Sequence, residues 1–222
     1  APGLFPDEPA FRADYAKVIE AGGDDAAEVL GRLLRRIRPV MLRRTKELVA
    51  PELPPKQEQV VEVELHPGHR RIYDRRLALE RKKVLHLLGD VDRHRVEILA
   101  ALTRLRQLSL AAGLVDEEHA AVPSAKIDVL VEMMADVVAG GHRALVFSSF
   151  PSFLRLVEKR FKQEGIASVY LDGRTRKRQE RVDEFRAGRA DAFLISLKAG
   201  GFGLNLTEAD YVSPGNTLDV DL

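Results

Sequence analysis

The chain has 222 residues, 45% of them hydrophobic and 31% charged, a composition that excludes disordered, collagen-like and low-complexity proteins. Its 35 lysines and arginines nearly balance 34 aspartates and glutamates, for a formal net charge of +1, so nucleic-acid binding would have to come from local basic patches. Cysteine is absent, which excludes disulfides, thiol nucleophiles and Cys-based zinc sites and fits a reducing compartment. No apolar run approaches the ~20 residues of a membrane span, and we expect a cytoplasmic protein that does not bind membranes.

The first 57 residues are predicted to be mainly helical. Apolar residues at helical spacing indicate two helices, which are separated by two glycines at 22–23 and ended by Pro39. Three prolines within 51–55 then indicate a linker. Over 61–65, valines and a leucine alternate with glutamates, which is typical of a short strand.

Two more helices are predicted between Pro67 and residue 114. A proline suits a first helical turn, and a Gly-Asp pair at 89–90 separates two periodic stretches. The second of these helices carries five apolar residues at helical spacing, which we expect to be buried: Ile98, Leu99, Leu102, Leu105 and Leu108. Residues 115–123 are predicted to form a loop.

From residue 124 onward, predicted strands alternate with predicted helices. Ser124 is placed to cap a helix whose apolar residues recur every three or four positions. Four short apolar runs indicate strands, at 144–147, 169–171, 192–195 and 211–212. Strands that alternate with helices of roughly ten or more residues indicate an α/β fold with a parallel sheet and right-handed crossovers.

The carboxyl ends of the predicted strands are where a ligand is expected, because open α/β sheets bind ligands beyond those ends. Three such ends carry polar residues: 148–150, 172–173 and 196–205. The third combines a hydroxyl at Ser196, a cation at Lys198 and an amide at Asn205 with glycines at 200, 201 and 203. Glycines allow backbone N–H groups to approach a phosphate closely, although the same glycines would also suit a tight turn that only joins two elements.

Residues 196–210 read Ser-Leu-Lys-Ala-Gly-Gly-Phe-Gly-Leu-Asn-Leu-Thr-Glu-Ala-Asp, which closely resembles motif V of the Swi/Snf-like family of helicase-related, ATP-dependent DNA translocases. Five further blocks resemble segments of the same family: 39–46 with 53–56, 102–107, 124–126, 145–150, and 171–173 with 181–185. All six occur in the family's order. Together they identify the chain as a member of this family, in which two RecA-like lobes enclose ATP and DNA runs across both lobes.

The resemblance implies an α/β fold, a RecA-like parallel-sheet lobe of the helicase C-terminal type preceded by an α-helical region. It divides the sequence into the tail of the first lobe with the inter-lobe linker, a short strand with a helical insertion, an incomplete second RecA-like lobe and a divergent tail: 1–57, 58–123, 124–212 and 213–222. The N-terminal RecA-like lobe is then an expected partner missing from the chain. Because the sequence begins at Ala1 rather than Met, we expect it to be a piece of a longer protein.

The family's motifs also imply roles for individual residues. Six residues are implied to contact the DNA backbone: Ser148, Ser149, Ser196, Lys198, Gly200 and Gly201. Two more are implied to bind the nucleotide: Gly203 and Asn205. Hydroxyls, backbone N–H groups and lysine position phosphates and carry no base information, so we expect sequence-independent, salt-sensitive binding of double-stranded DNA.

Several parts of the family's ATPase are not found in the sequence. It contains no Gly-x-x-x-x-Gly-Lys-Ser/Thr phosphate loop, and after Val212 it departs from the stretch that leads to the family's paired arginines. Residues 116–119, Asp-Glu-Glu-His, imitate the family's magnesium-binding box but follow a predicted helix rather than a buried strand. ATP and Mg are therefore expected to bind the intact parent. The chain alone is expected to bind neither tightly and not to hydrolyse ATP, and no catalytic or metal-binding residue is assigned.

Other functions stay open. A non-catalytic DNA- or protein-binding module, or an inactive gene fragment, would lack the same motifs. An ordinary Rossmann nucleotide binder is disfavoured, because its glycines should follow the first strand. Three basic clusters, within 32–46, 70–83 and 174–181, fit either solvated helix faces or DNA contacts. The abundance of Ala, Leu, Arg and Val is typical of a bacterial protein, and we expect association with the nucleoid.

Overall fold

The computed structural model describes residues 3–5, 7–42, 57, 59–87, 90–200, 204 and 206–214. The chain forms two compact units, Ala1–Val60 and Val61–Leu222. None of the helices in the described ranges is long and apolar enough to cross a membrane.

The first unit is helical in most of its described residues. Its elements in chain order are α1 (Glu8–Phe11), a π-helical turn (Arg12–Ala16), α2 (Lys17–Ala21) and α3 (Asp24–Ile37). Gly22 and Gly23, with φ of 70° and 92°, make the turn between α2 and α3, because glycine adopts this left-handed backbone without a steric penalty. The rings of Phe5 and Phe11 pack against Tyr15, which is buried.

The second unit begins with a helical hairpin of α4 (Pro67–Leu87) and α5 (Val91–Leu110). The interior of this hairpin is partly ionic. The buried carboxylate of Glu80 accepts two hydrogen bonds from Arg104, at 3.0 and 3.1 Å, and forms an ion pair with Arg76 at 2.9 Å. A buried carboxylate is tolerated only when it is paired in this way, so the three side chains tie one helix to the other.

Two buried polar side chains satisfy the last carbonyl groups of α5, which have no partner inside the helix. His69 donates from Nε2 to the carbonyl oxygen of Leu108 at 2.6 Å, since a carbonyl can only accept. The Ser124 hydroxyl donates to the carbonyl oxygen of Leu110, also at 2.6 Å. The same hydroxyl oxygen accepts from the backbone N–H of Ile127 at 3.3 Å, which confirms Ser124 as a helix cap.

Two sequence predictions for this region are wrong. Leu108 is buried as predicted, but Leu99 and Leu102, expected on the same buried face of α5, are 54% and 49% exposed, because the helix turns Ala101 rather than these two leucines into the interior. Residues 61–65, expected to be a strand, carry no strand in the structure. Alternation of apolar residues does not hold a strand without a neighbour, and no strand among the described residues pairs with this segment.

The rest of the second unit is a layered α/β structure. Its elements are α6 (Ala125–Ala139), β1 (Ala144–Ser148), α7 (Pro151–Gln163), β2 (Ser168–Leu171), α8 (Arg178–Arg186), β3 (Ala192–Ser196), α9 (Leu197–Gly200) and β4 (Tyr211–Pro214), preceded by two 3-10 turns, Ala112–Leu114 and Glu117–His119. The four strands form one parallel sheet in the order β2-β3-β1-β4. The predicted parallel α/β fold is confirmed, and each strand includes the apolar run that indicated it.

Alternate residues of the central strands supply two hydrophobic clusters, one on each face of the sheet. On one face, Val146 and Leu194 pack with side chains of α6 and α7 such as Phe153. On the other face, the ring of Phe193 lies 5.3 Å from that of Phe185 in α8. The sheet is therefore covered on both faces, which explains why its strands are unbroken apolar runs.

Candidate nucleic-acid interface

The carboxyl ends of β1 and β3 meet at one edge of the sheet, where Ser148 and Ser196 are register partners. Both serines are buried. The Ser148 hydroxyl oxygen accepts a hydrogen bond from the backbone N–H of Phe150 at 3.1 Å, which shapes the turn from β1 into α7. The next residue, Ser149, is exposed, so at this end of β1 it is Ser149 whose side chain faces solvent.

The end of β3 continues directly into the single helical turn α9. Ala199 is buried and packs in the cluster that covers one face of the sheet. Lys198, one residue earlier, is exposed. The turn is thus anchored through Ala199 while it presents the Lys198 ammonium group to solvent.

Gly200 is the last residue of α9. The other three predicted residues of this loop lie outside the described residues, and their roles stay predictions: Gly201, Gly203 and Asn205. Leu204, within the loop, and Leu206, just after it, pack against the same hydrophobic cluster as Ala199. The chain therefore returns to the sheet on the face where α9 is anchored.

The end of β2 forms a third part of the same edge, because β2 is parallel to β3. The Tyr170 hydroxyl donates to Oδ2 of Asp172 at 2.9 Å. Oδ1 of Asp172 accepts from the backbone N–H of Arg174 at 2.9 Å and from the Thr175 hydroxyl at 3.1 Å. The Asp172 backbone N–H in turn donates to Oγ1 of Thr175 at 3.0 Å. We call residues 172–177 the basic turn, and its first half is held by the side chain of Asp172.

Two groups at the basic turn have shifted pKa values. Burial raises the pKa of Tyr170 to about 12, and the hydrogen bond to Asp172 and the charge of that carboxylate act in the same direction. Burial also acts to raise the pKa of Asp172, but the hydrogen bonds from the Arg174 N–H and from the two hydroxyls outweigh it and lower this pKa below its ordinary value. At neutral pH Asp172 is therefore an ionised acceptor and Tyr170 a neutral donor.

Sequence reasoning found the turn at 172–173 but missed the side chains that support it. The guanidinium carbon of Arg155, in α7, lies 3.5 Å from the centroid of the Tyr170 ring. The contact between Tyr170 and Asp172 could have been expected from their spacing, because residues two apart in a strand share a face and Tyr170 precedes Asp172 by two positions. No comparable signal pointed to Arg155, which reaches the turn from a different element.

A second ionic cluster, also missed from the sequence, lies away from this edge. Asp128 in α6 accepts hydrogen bonds from Nε2 of His66 at 3.0 Å and from Arg160 at 2.8 Å.

Asp116, the first residue of the box at 116–119, caps a 3-10 turn by accepting from the Glu118 N–H at 3.0 Å. Within the part of the chain that the structure describes, no group of three or more His, Asp or Glu side chains could hold a metal ion.

Two family models match the chain. The model of the SNF2-related domain matches residues 1–114, which is just over half of the 222 residues, and the model of the helicase conserved C-terminal domain matches residues 125–214. The chain belongs to the SNF2-related domain family. This confirms the resemblance on which the sequence analysis relied, whereas the division into four segments stays a prediction.

Relatives of this SNF2-related chain include much longer proteins. It is 30% identical over 235 residues to chromodomain-helicase-DNA-binding protein 7 of Gallus gallus, covering 94% of this chain and 8% of that protein. It is 31% identical over 188 residues to an uncharacterized ATP-dependent helicase of Mycoplasma pneumoniae, covering 81% of this chain and 17% of that protein. The chain thus spans less than a fifth of the length of these two curated relatives.

Solved structures confirm the RecA-like fold of this SNF2-related chain. The SWI2/SNF2 ATPase core of Sulfolobus solfataricus in complex with dsDNA matches with a TM-score of 0.60 and 24% identity, covering 95% of this chain and 45% of that one. The C-terminal part of the Fun30 ATPase domain matches with a TM-score of 0.59 and 22% identity, covering 75% of this chain and 76% of that one.

Proposed function

We propose that this chain is part of an ATP-dependent, double-stranded-DNA translocase of the Swi/Snf type. It supplies the second RecA-like lobe, which contacts the DNA backbone and closes on ATP. Membership of the SNF2-related domain family supports the proposal, as does a structure of the same fold solved with dsDNA. The helicase name of its curated relatives points in the same direction.

One structural observation carries the DNA part of the proposal. The exposed residues Ser149 and Lys198 follow neighbouring parallel strands at a single edge of the sheet. A hydroxyl and an ammonium group both donate hydrogen bonds to phosphate oxygens. Neither group distinguishes one base from another, so such contacts hold the DNA backbone without reading its sequence.

The remaining predicted residues of this edge take supporting roles in the proposal. Gly200 and Gly201 bring backbone N–H groups close to the same phosphates, which a side chain at either position would hinder. Ser148 and Ser196 are buried, and they shape the edge from inside the sheet rather than through an exposed hydroxyl.

The ATP site of the intact protein is proposed to lie between this lobe and the missing N-terminal lobe, with Gly203 and Asn205 on the nucleotide side. The described residues do not fit a complete site for ATP and Mg. Both carboxylate oxygens of Asp172 at the sheet edge already accept hydrogen bonds, and no carboxylate cluster suited to a metal occurs in the described ranges. We therefore assign no catalytic step to this chain, and we expect that it does not hydrolyse ATP alone.

The DNA contact is tested by the salt dependence of binding. The affinity of the full chain for a short, blunt duplex of mixed sequence is measured between about 50 and 200 mM salt. We expect the logarithm of the affinity to fall linearly with the logarithm of salt concentration, and Lys198→Ala to reduce that slope by about 0.9. Lys162→Ala, a charge removed from an exposed site at the far end of α7, serves as the control. Equal slopes for wild type and Lys198→Ala would contradict the proposal.

The sequence of the surrounding gene distinguishes the proposed translocase from the alternative, a non-catalytic binding module. Sequencing on both sides of this segment, in all three frames, is expected to reveal a phosphate loop upstream and a paired-arginine block downstream. A gene without either block would instead favour a binding module or an inactive fragment, whatever the salt dependence of DNA binding.

A further inference from the structure

The basic turn presents two arginines that make no ion pair with any other residue that the structure describes. Arg174 and Arg176 are both exposed, and among the described residues neither forms a salt bridge or a side-chain hydrogen bond. Cations that follow them along the chain are paired, since Lys177 contacts Glu180 at 2.9 Å and Arg181 contacts Glu184 at 2.9 Å. The uncompensated positive charge is therefore concentrated in the turn itself rather than on α8.

The turn is held in a fixed shape, although its arginines are exposed. The backbone N–H of Arg174 donates to the Asp172 carboxylate at 2.9 Å. The Thr175 backbone N–H donates to the carbonyl oxygen of Asp172 at 3.2 Å, and the Thr175 hydroxyl donates to the carboxylate. These bonds order the backbone on both sides of Arg174 before any partner binds, which lowers the entropy lost on binding.

The basic turn lies at the same sheet edge as Ser149 and Lys198. Leu171, the last residue of β2, is the register partner of Ile195 in β3, and Ile195 is the partner of Phe147 in β1. The three segments that follow these partners therefore leave the sheet on one side. A polyanion that contacts Lys198 would therefore meet a second group of positive charges, the basic turn, at the same edge of the sheet.

We propose that Arg174 and Arg176 bind the phosphodiester backbone of double-stranded DNA, as a second backbone contact beside Lys198. The inference rests on the proposed function and extends it to a site that the family motifs did not assign. Guanidinium groups suit this role because they bind phosphate oxygens in pairs and stay charged at every physiological pH. An acidic protein is a weaker fit, since residues 173–177, all of them exposed except Thr175, offer no large apolar side chain as an anchor.

The double variant Arg174→Ala/Arg176→Ala tests the inference in the full chain, with the same duplex and salt range. If each arginine neutralises one phosphate, the slope of log affinity against log salt falls by about 1.8, so raising salt fourfold weakens the wild type about twelvefold more than the variant. Arg174→Lys/Arg176→Lys keeps both charges and is expected to retain most of the slope. The matched control Lys162→Ala/Arg189→Ala also removes two exposed cations, but from the amino-terminal edge of the sheet.

Several results would overturn the inference. One is a slope that is the same in Arg174→Ala/Arg176→Ala as in the wild type, while Lys198→Ala still reduces it. This result would exclude a DNA contact by the basic turn but leave the proposed function intact. An equal reduction in the control would mean that net charge, not a contact, sets the slope. Displacement of the duplex by poly-glutamate at equal charge would overturn the inference, because the turn would then bind any polyanion rather than the phosphodiester backbone of DNA. If the wild type shows no salt-dependent binding of the duplex, both the inference about the basic turn and the proposed DNA contact of Lys198 are contradicted.

Discussion

The guanidinium carbon of Arg155 lies 3.5 Å from the centroid of the Tyr170 ring, so a side chain of α7 covers the aromatic face of a side chain of β2. The Tyr170 hydroxyl donates in turn to Asp172, whose carboxylate holds the basic turn. A cation, a ring and a carboxylate thereby connect a helix to the segment that carries Arg174 and Arg176. Loosening any of these contacts is expected to loosen the turn.

Tyr170→Phe keeps the ring beneath Arg155 but removes the donor to Asp172. We expect the free energy of unfolding to fall by about 0.5–1.5 kcal/mol, the usual contribution of one hydrogen bond, because Oδ2 of Asp172 loses its hydroxyl donor. Urea denaturation measures the change. Tyr211→Phe is the control, since the Tyr211 ring packs on His142 and its hydroxyl makes no hydrogen bond among the described residues. A similar loss in both variants would contradict the role of the Tyr170 hydroxyl.

Asp172→Asn is expected to change how stability depends on pH. The pKa of Asp172 is lowered in the folded chain, so its carboxylate stabilises the fold above the ordinary Asp pKa of about 3.9. That stabilisation is lost as the pH falls through the lower pKa of the folded state. The difference in unfolding free energy between wild type and Asp172→Asn should therefore be largest near neutral pH and shrink in acid. A difference that stays constant down to acid pH would show that the carboxylate charge is not involved.

Glu80→Ala is expected to destabilise the helical hairpin by about 2 kcal/mol. Removal of one partner from a buried ion pair costs about 3–5 kcal/mol, but Arg76 and Arg104 are 34% and 36% exposed, so water can solvate them and the loss is smaller. Thermal or urea unfolding followed by helical circular dichroism gives the value. Glu97→Ala is a matched control, because Glu97 is 65% exposed and should change stability by less than about 0.5 kcal/mol. The prediction fails if the two variants lose equal stability.

Lys198→Ala and Gly201→Val are each expected to reduce the DNA-stimulated ATPase of the intact parent protein by at least about tenfold. Loss of one charge-assisted phosphate contact corresponds to about 1.5–3 kcal/mol, and a valine would block close approach of the backbone to a phosphate. Turnover is measured with and without duplex DNA, and Lys162→Ala serves as the control. Full activity in both variants would exclude the proposed role of this loop.

Much of the fold could be predicted from sequence because its signals are local. Ser124 precedes a periodic apolar pattern and caps α6, and the four apolar runs became the four strands. Leu99 and Leu102 were predicted wrongly because periodicity identifies an apolar face but does not say which element covers it. In the hairpin, Glu80 and Arg104 occupy part of the interior that apolar residues were expected to fill.

The candidate site was only partly predictable. Ser149 and Lys198 follow strands that the sequence indicates, so their shared edge follows from the parallel topology alone. The contact of Arg155 with Tyr170 depends on how α7 packs over β2, which no local pattern reports. For the same reason, the sequence shows a basic cluster within 174–181 but cannot tell that Lys177 and Arg181 are paired, while Arg174 and Arg176 have no ion-pair partner within the described ranges.

The position of β3 inside the sheet predicts how fast its backbone amides exchange with solvent. It is bonded to β1 on one side and to β2 on the other, and Phe193, Leu194 and Ile195 are completely buried. We expect its amide hydrogens to exchange with deuterium mainly when the whole unit unfolds, and so to be the slowest to exchange. Their exchange rate reports global opening, and faster exchange confined to the amides of Arg174 and Thr175 would report opening of the basic turn alone.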